Sequence, residues 1–72
     1  MPNYCVNKNA QSGSRDHEVH DLASTKNCLP LESNRVSLGN HPSCREAVAA
    51  SKRFHYSDSN GCRYCAPACH TT

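Results

Sequence analysis

The tightest constraint on this chain is how little it can bury. Its large aliphatic side chains are Val6, Val19, Leu22, Leu29, Leu31, Val36, Leu38 and Val48, spread over 72 residues. One Phe, three Tyr and no Trp add little to them. A chain of this length buries only about 60% of the surface its unfolded form exposes. Such a core rarely supplies more than about 3–5 kcal/mol, so folds of this size add disulfides, a metal or a partner chain. Six cysteines and five histidines are the side chains available for that support.

Cysteines serve disulfides in oxidising compartments and metals in reducing ones. Residues 1–20 are polar and lack the apolar run of about 7–15 residues that marks a secretory leader. No stretch approaches the roughly 20 apolar residues of a membrane span. The expectation is a cytoplasmic, membrane-free, monomeric domain with reduced thiols; three disulfides are the alternative for an oxidising compartment. The formal net charge of +2 is mild. Arg15, Lys26, Arg35, Arg45, Lys52, Arg53 and Arg63 are scattered, without the basic stripe of a dedicated nucleic-acid binder.

Tyr4-Cys5-Val6 suits a short first strand, residues 7–16 a loop, and His17–His20 a returning strand with Val19 toward the core. Residues 23–34 read as irregular. Arg35–Leu38 alternates polar and apolar and ends in a turn at Gly39. A helix is expected over about 43–53. Ser43 and Glu46 fit a capping box, Cys44, Ala47, Val48 and Ser51 share one face, and Lys52 and Arg53 suit the negative end of the helix dipole. Residues 55–61 read as a turn. The fold class is therefore α+β: one domain over residues 1–72, with a short antiparallel sheet, one helix and a C-terminal knuckle.

The knuckle is Cys62-x2-Cys65, preceded by Gly61. Two residues between thiolates let a tight turn aim both sulfurs at one ion, and zinc takes four ligands in a tetrahedron, with Zn–S at about 2.3 Å and Zn–N at about 2.0–2.1 Å. Cys28, in polar irregular sequence, is the third candidate ligand and His20 the fourth. His17 rivals His20, but in a strand the two point to opposite faces, so one of them reaches the ion. Cys44 on the helix's apolar face and Cys5 in the first strand read as core side chains. His41 with Cys44, or Cys69 with His70, could form a second site; each also has a bland reading as a surface or tail residue. His55 reads as exposed. One structural Zn2+ on His20, Cys28, Cys62 and Cys65 is the expectation.

The order of an upstream ligand, Cys28, the strand Arg35–Leu38, the capped helix and the Gly61-Cys62-x2-Cys65 knuckle resembles the metal-binding domain of the Ada type, from adaptive-response DNA-alkylation repair. Asp16–His20, Leu38-Gly39, Ser43-Cys44-x2-Ala47-Val48 and Gly61–Thr72 also resemble a family of short bacterial proteins of unknown function. The resemblance implies a mixed α/β fold and a Zn(Cys)3(His) site. In the repair domain the first zinc-bound thiolate accepts the methyl group; the corresponding position here is His20, which cannot.

The expected function is a non-catalytic zinc module binding protein or nucleic acid. Two enzymatic or reactive alternatives are a degenerate metal-dependent nuclease of the His-Asn-His kind, using Asp16, His17, Asn34 and His41, and a zinc-thiolate alkyl acceptor using Cys28, Cys62 or Cys65. A further reading is redox sensing through Cys65 and Cys69.

Overall fold

A computed structural model describes residues 2–10, 15–24 and 28–70. Residues 11–14 of the expected loop, 25–27 of the expected irregular stretch, and 1, 71 and 72 lie outside the described residues. Four strands, β1 (Asn3–Asn7), β2 (His17–Asp21), β3 (Arg35–Asn40) and β4 (Ser59–Gly61), form one sheet in the order β3-β1-β2-β4. Helix α1 (Cys44–Phe54) connects β3 to β4, and single 3-10 turns occur at Glu32–Asn34 and Pro67–Cys69.

Strand β1 runs antiparallel to both its neighbours, pairing Val6 with Val19 on one side and with Val36 on the other. That stacks three β-branched side chains on one face of the sheet. Between Tyr4 and Cys5 the register with β3 shifts from Gly39 to Ser37, so Leu38 is an extra residue in the ladder. Gly39 accommodates this bulge with φ +80°, a conformation that costs a residue without Cβ nothing.

The sheet is mixed, which corrects the antiparallel expectation. Strand β4, inside the stretch read as a turn, pairs parallel with β2 through His17–Ser59, Glu18–Asn60 and Val19–Gly61. Its residues have low strand propensity; they are held by specific contacts. The Ser51 hydroxyl meets Ser59 Oγ at 2.5 Å, and Ser59 Oγ donates to the Tyr56 carbonyl at 2.6 Å. Asn60 Nδ2 lies 3.3 Å from Asp16 Oδ2. Gly61 is fitted so closely against the C-terminal segment that a Cβ there would stand 2.6 Å from Cys69 Cβ.

Tyr4, Val6, Val19 and Ala47 form the apolar cluster, with Val36, Leu38, Cys44, Val48 and Tyr56 packed around it. Helix α1 thus covers one face of the sheet, burying Ala47 and Ser51 as its spacing requires. At its start, Ser43 Oγ donates to the Glu46 carboxylate, and the Ser43 side chain caps no backbone N–H. The Ser–Glu pair is present, but the reciprocal capping box is not.

Two expectations about cysteine are corrected. Cys44 packs beside the apolar cluster, yet it is joined in a disulfide to Cys69, with Cα atoms 6.2 Å apart. Cys44 and Cys69 are therefore neither free core thiol nor metal ligand, and the thiols are not all reduced. Cys5, Cys28, Cys62 and Cys65 are free. Among the described residues no helix is long and apolar enough to cross a membrane.

Candidate metal centre

Alternation along the strands sends Val6 and Val19 toward α1 and their neighbours Cys5 and His20 to the opposite face of the sheet. On that second face His20, Cys28, Cys62 and Cys65 come together, with one donor atom from each lying within 4.8 Å of all the others. Among the described residues no second group of three or more such side chains converges in this way.

Each side chain arrives by a different route. His20 is fixed mid-strand in β2, paired with Cys5 of β1, and is 1% exposed. Cys62 follows β4 directly, and its N–H continues the ladder by donating to the Val19 carbonyl at 2.9 Å. The chain then turns back, with Ala66 N–H donating to the Cys62 carbonyl at 2.9 Å, which brings Cys65 beside Cys62. Inside this turn Tyr64 N–H points at Cys62 Sγ from 3.4 Å. Cys28 enters from the segment leading to the Glu32–Asn34 turn. Arg35 Nε donates to the Pro30 carbonyl at 2.9 Å and holds that segment against the sheet.

His20 Nδ1 faces the sulfurs, 3.5 Å from Cys65 Sγ. Its other nitrogen, Nε2, faces Glu18 Oε1 at 3.9 Å. A carboxylate behind an imidazole is the usual means of fixing a metal-bound histidine's tautomer and orientation. The remaining described histidines are otherwise engaged. His17 donates from Nδ1 to the Asn7 carbonyl at 2.9 Å and stacks on Tyr56, centroids 3.8 Å apart. His41 donates from Nε2 to the Leu38 carbonyl at 2.7 Å, and His70 from Nδ1 to the Gly61 carbonyl at 3.1 Å. His55 is exposed. His17 thus sits on the helix side of β2, away from the cluster.

Electrostatics shows what the cluster lacks on its own. Burial pushes the Cys62 thiol up, offset in part by the N–H groups of Cys65 and Tyr64. Burial, with Cys28 and Cys62 crowding beside it, pushes Cys65 up to about 12, against the Asp21 N–H. Burial, helped by the positive charge of Arg35, pulls His20 down to about 4. Neutral imidazole is the form that binds metal, whereas these thiols need a cation before they ionise.

The donor set fits such a cation. Three sulfurs and one imidazole nitrogen suit a tetrahedral ion, whose ligand atoms stand about 3.5–3.8 Å apart when its bonds are about 2.0–2.3 Å. The 3.5 Å between His20 Nδ1 and Cys65 Sγ lies in that range. The group can hold a metal ion, and all four side chains expected from spacing belong to it.

Sequence reasoning did not single out Glu18, Arg35 or the Cys44–Cys69 link. Glu18 was within reach, since two residues before His20 in a strand means the same face. Arg35 acts through a backbone carbonyl, which leaves no pattern. The disulfide joins positions 25 residues apart and depends on how α1 and the C-terminal segment meet. No family model matches the chain, and no curated protein or solved structure matches it significantly.

Proposed function

We propose that this chain is a small zinc module, closed by one structural Zn2+ on His20, Cys28, Cys62 and Cys65, and that it acts by binding a macromolecule rather than by catalysis. The observation that carries this is the convergence of four donors from separate parts of the chain on one face of the sheet. Sulfur-rich S3N sets select zinc over the harder divalent ions. Four protein ligands complete a tetrahedron and leave no position for water or substrate, as in structural sites. Three thiolates would leave the centre with one net negative charge, and Arg35 is the cation near His20 and Cys5 that meets it.

The Ada-type resemblance agrees with this reading of the fold, and its methyl-accepting position is held by His20. The nuclease alternative draws less support. His17 lies at the Asn7 end of β1 while His41 lies at the Tyr4 end, so the two imidazoles do not share a site.

Native mass spectrometry of the purified chain tests the proposal. One zinc per chain is expected, lost in Cys62→Ser and Cys65→Ser variants. A metal-free chain, or one whose zinc survives both substitutions, overturns it.

A further inference from the structure

Outside the candidate metal centre's own residues, α1 and the Pro67–Cys69 turn border a groove of about 310 Å³. Arg45, Val48, Ala49 and Lys52 line it from the helix, and Ala68 and Cys69 form the other wall. The four helix positions fall at i, i+3, i+4 and i+7, so they make a single stripe, with a cation at each end and an apolar floor between. No acidic side chain lines it. Glu46, the one carboxylate on the helix, is engaged by the Ser43 hydroxyl.

One wall of this groove is half of the Cys44–Cys69 disulfide. The other half, Cys44, packs against the apolar cluster and is not part of the lining. Both cysteines are partly exposed, and Cys69 is the one of the pair that borders the groove, so it is the half of the disulfide that a nucleophile seated there lies beside. Cys44 is the first residue of α1, following the N-cap Ser43. A thiolate formed there is at the positive end of the helix dipole, which favours anions of sulfur. A sulfur that leaves as a stabilised thiolate leaves faster.

We propose that Cys69 is a reversible thiol-exchange site, and that the groove recruits its partner, a small thiol carrying carboxylates. The partner's thiolate attacks Cys69 Sγ, a new S–S bond forms between them, and the Cys44–Cys69 bond breaks with its electron pair leaving on Cys44 Sγ. A second partner thiolate then attacks the partner sulfur of that mixed disulfide and releases Cys69 as thiolate. In sum, the protein disulfide gains two electrons and two small thiols become one small disulfide. Arg45 and Lys52 take no part in the chemistry. They draw the carboxylates and seat the thiol over Cys69, while the Val48 and Ala49 floor takes its apolar stem. This inference is independent of the zinc assignment.

The test uses the full chain with glutathione as probe and glutathione diethyl ester as control, which has the same thiol but masked carboxylates. Rates per thiolate are read by acid quench and mass spectrometry, and the modified residue by fragmentation. At low salt glutathione is expected to react about tenfold or more faster than the ester, in line with electrostatic steering into a charged cleft. The adduct is expected on Cys69, with Cys44 released. The preference should vanish in 1 M salt and in an Arg45→Ala/Lys52→Ala double variant, while the ester's rate stays the same. In Cys44→Ser, glutathione disulfide should label Cys69 and the label should persist. First attack on Cys44, equal rates for the two thiols, or a preference indifferent to salt overturns the proposal even if the double variant does not fold. Labelling of Cys28, Cys62 or Cys65 reports on the metal centre instead, so failure of the two proposals is distinguishable.

Discussion

A single side chain can decide whether four donors stay together, and Arg35 is the clearest case. Its Nε bond to the Pro30 carbonyl presses the segment carrying Cys28 onto the sheet. Arg35→Ala removes that tether and the neighbouring positive charge without touching a donor. Loss of such an outer partner typically costs 10–100-fold in metal affinity, so a weakening of roughly that size is expected. Arg35→Lys keeps the charge but not the planar Nε–H, and should recover only part. Competition with a chromophoric chelator measures both; an unchanged affinity in Arg35→Ala would deny Arg35 this role. Gly61 is the second case. A Cβ added there would meet Cys69 Cβ at 2.6 Å and the Cys69 backbone carbon at 2.7 Å, next to Cys62. Gly61→Ala should cost about 1–3 kcal/mol as an overpacked position, seen as a lower urea midpoint. At this scale the sequence was informative where periodicity applied. In a strand His17 and His20 face opposite ways, and that alone separates the stacked histidine from the one beside the thiols. Arg35 and Gly61 act through backbone atoms of remote segments, so no spacing announces them.

Among the elements, α1 was legible and β4 was not, for a physical reason. Helix α1 writes its burial into a repeat of Cys44, Ala47, Val48 and Ser51 that only a helix gathers onto one face. Ser59-Asn60-Gly61 has neither apolar alternation nor β-branched residues, and it pairs with β2 because side chains elsewhere receive it. Its parallel direction follows from topology. Strands β3, β2 and β4 run the same way, so α1 is a crossover connection rather than a flank to a hairpin. Ser51 is the contact between helix and edge strand, fully buried and bonded to Ser59. Ser51→Ala leaves Ser59 with its Tyr56 carbonyl partner, so only one hydrogen bond is lost. The expected cost is about 1 kcal/mol, with β4 amides exchanging faster with solvent than those of β1. A uniform loss of protection over all four strands would show that β4 is not an independent weak edge.

At the scale of the whole molecule a disulfide and, on the proposed reading, a zinc ion share the work that a thin core leaves undone. The disulfide closes a separation of 25 residues, which in the chain-entropy view stabilises by about 3.5 kcal/mol. A structural zinc in a small domain supplies about 10–16 kcal/mol at neutral pH. The order of melting temperatures should follow: zinc-bound and oxidised highest, zinc-bound Cys44→Ser/Cys69→Ser next, metal-stripped and oxidised lowest. If the stripped, oxidised chain melts at or above the zinc-bound double variant, the disulfide and not the ion organises this fold. Acid separates the two cross-links further. Without metal, the unfolded chain protonates His20 near its ordinary 6.5, whereas the fold, having pulled it down to about 4, does not. Stability is therefore intact above pH 6.5 and is lost as pH falls toward 4, by at most about 3 kcal/mol. With metal the dependence is steeper and has a second origin. Burial holds Cys62 and Cys65 protonated until an ion displaces those protons, so their release accompanies binding. Zinc affinity should rise at least about 100-fold per pH unit between pH 6 and 7, two thiol protons leaving for each ion bound. Calorimetry in buffers of different ionisation enthalpy counts those protons directly. A count below two would mean that the buried thiols are not the ligands, whatever their distance from one another.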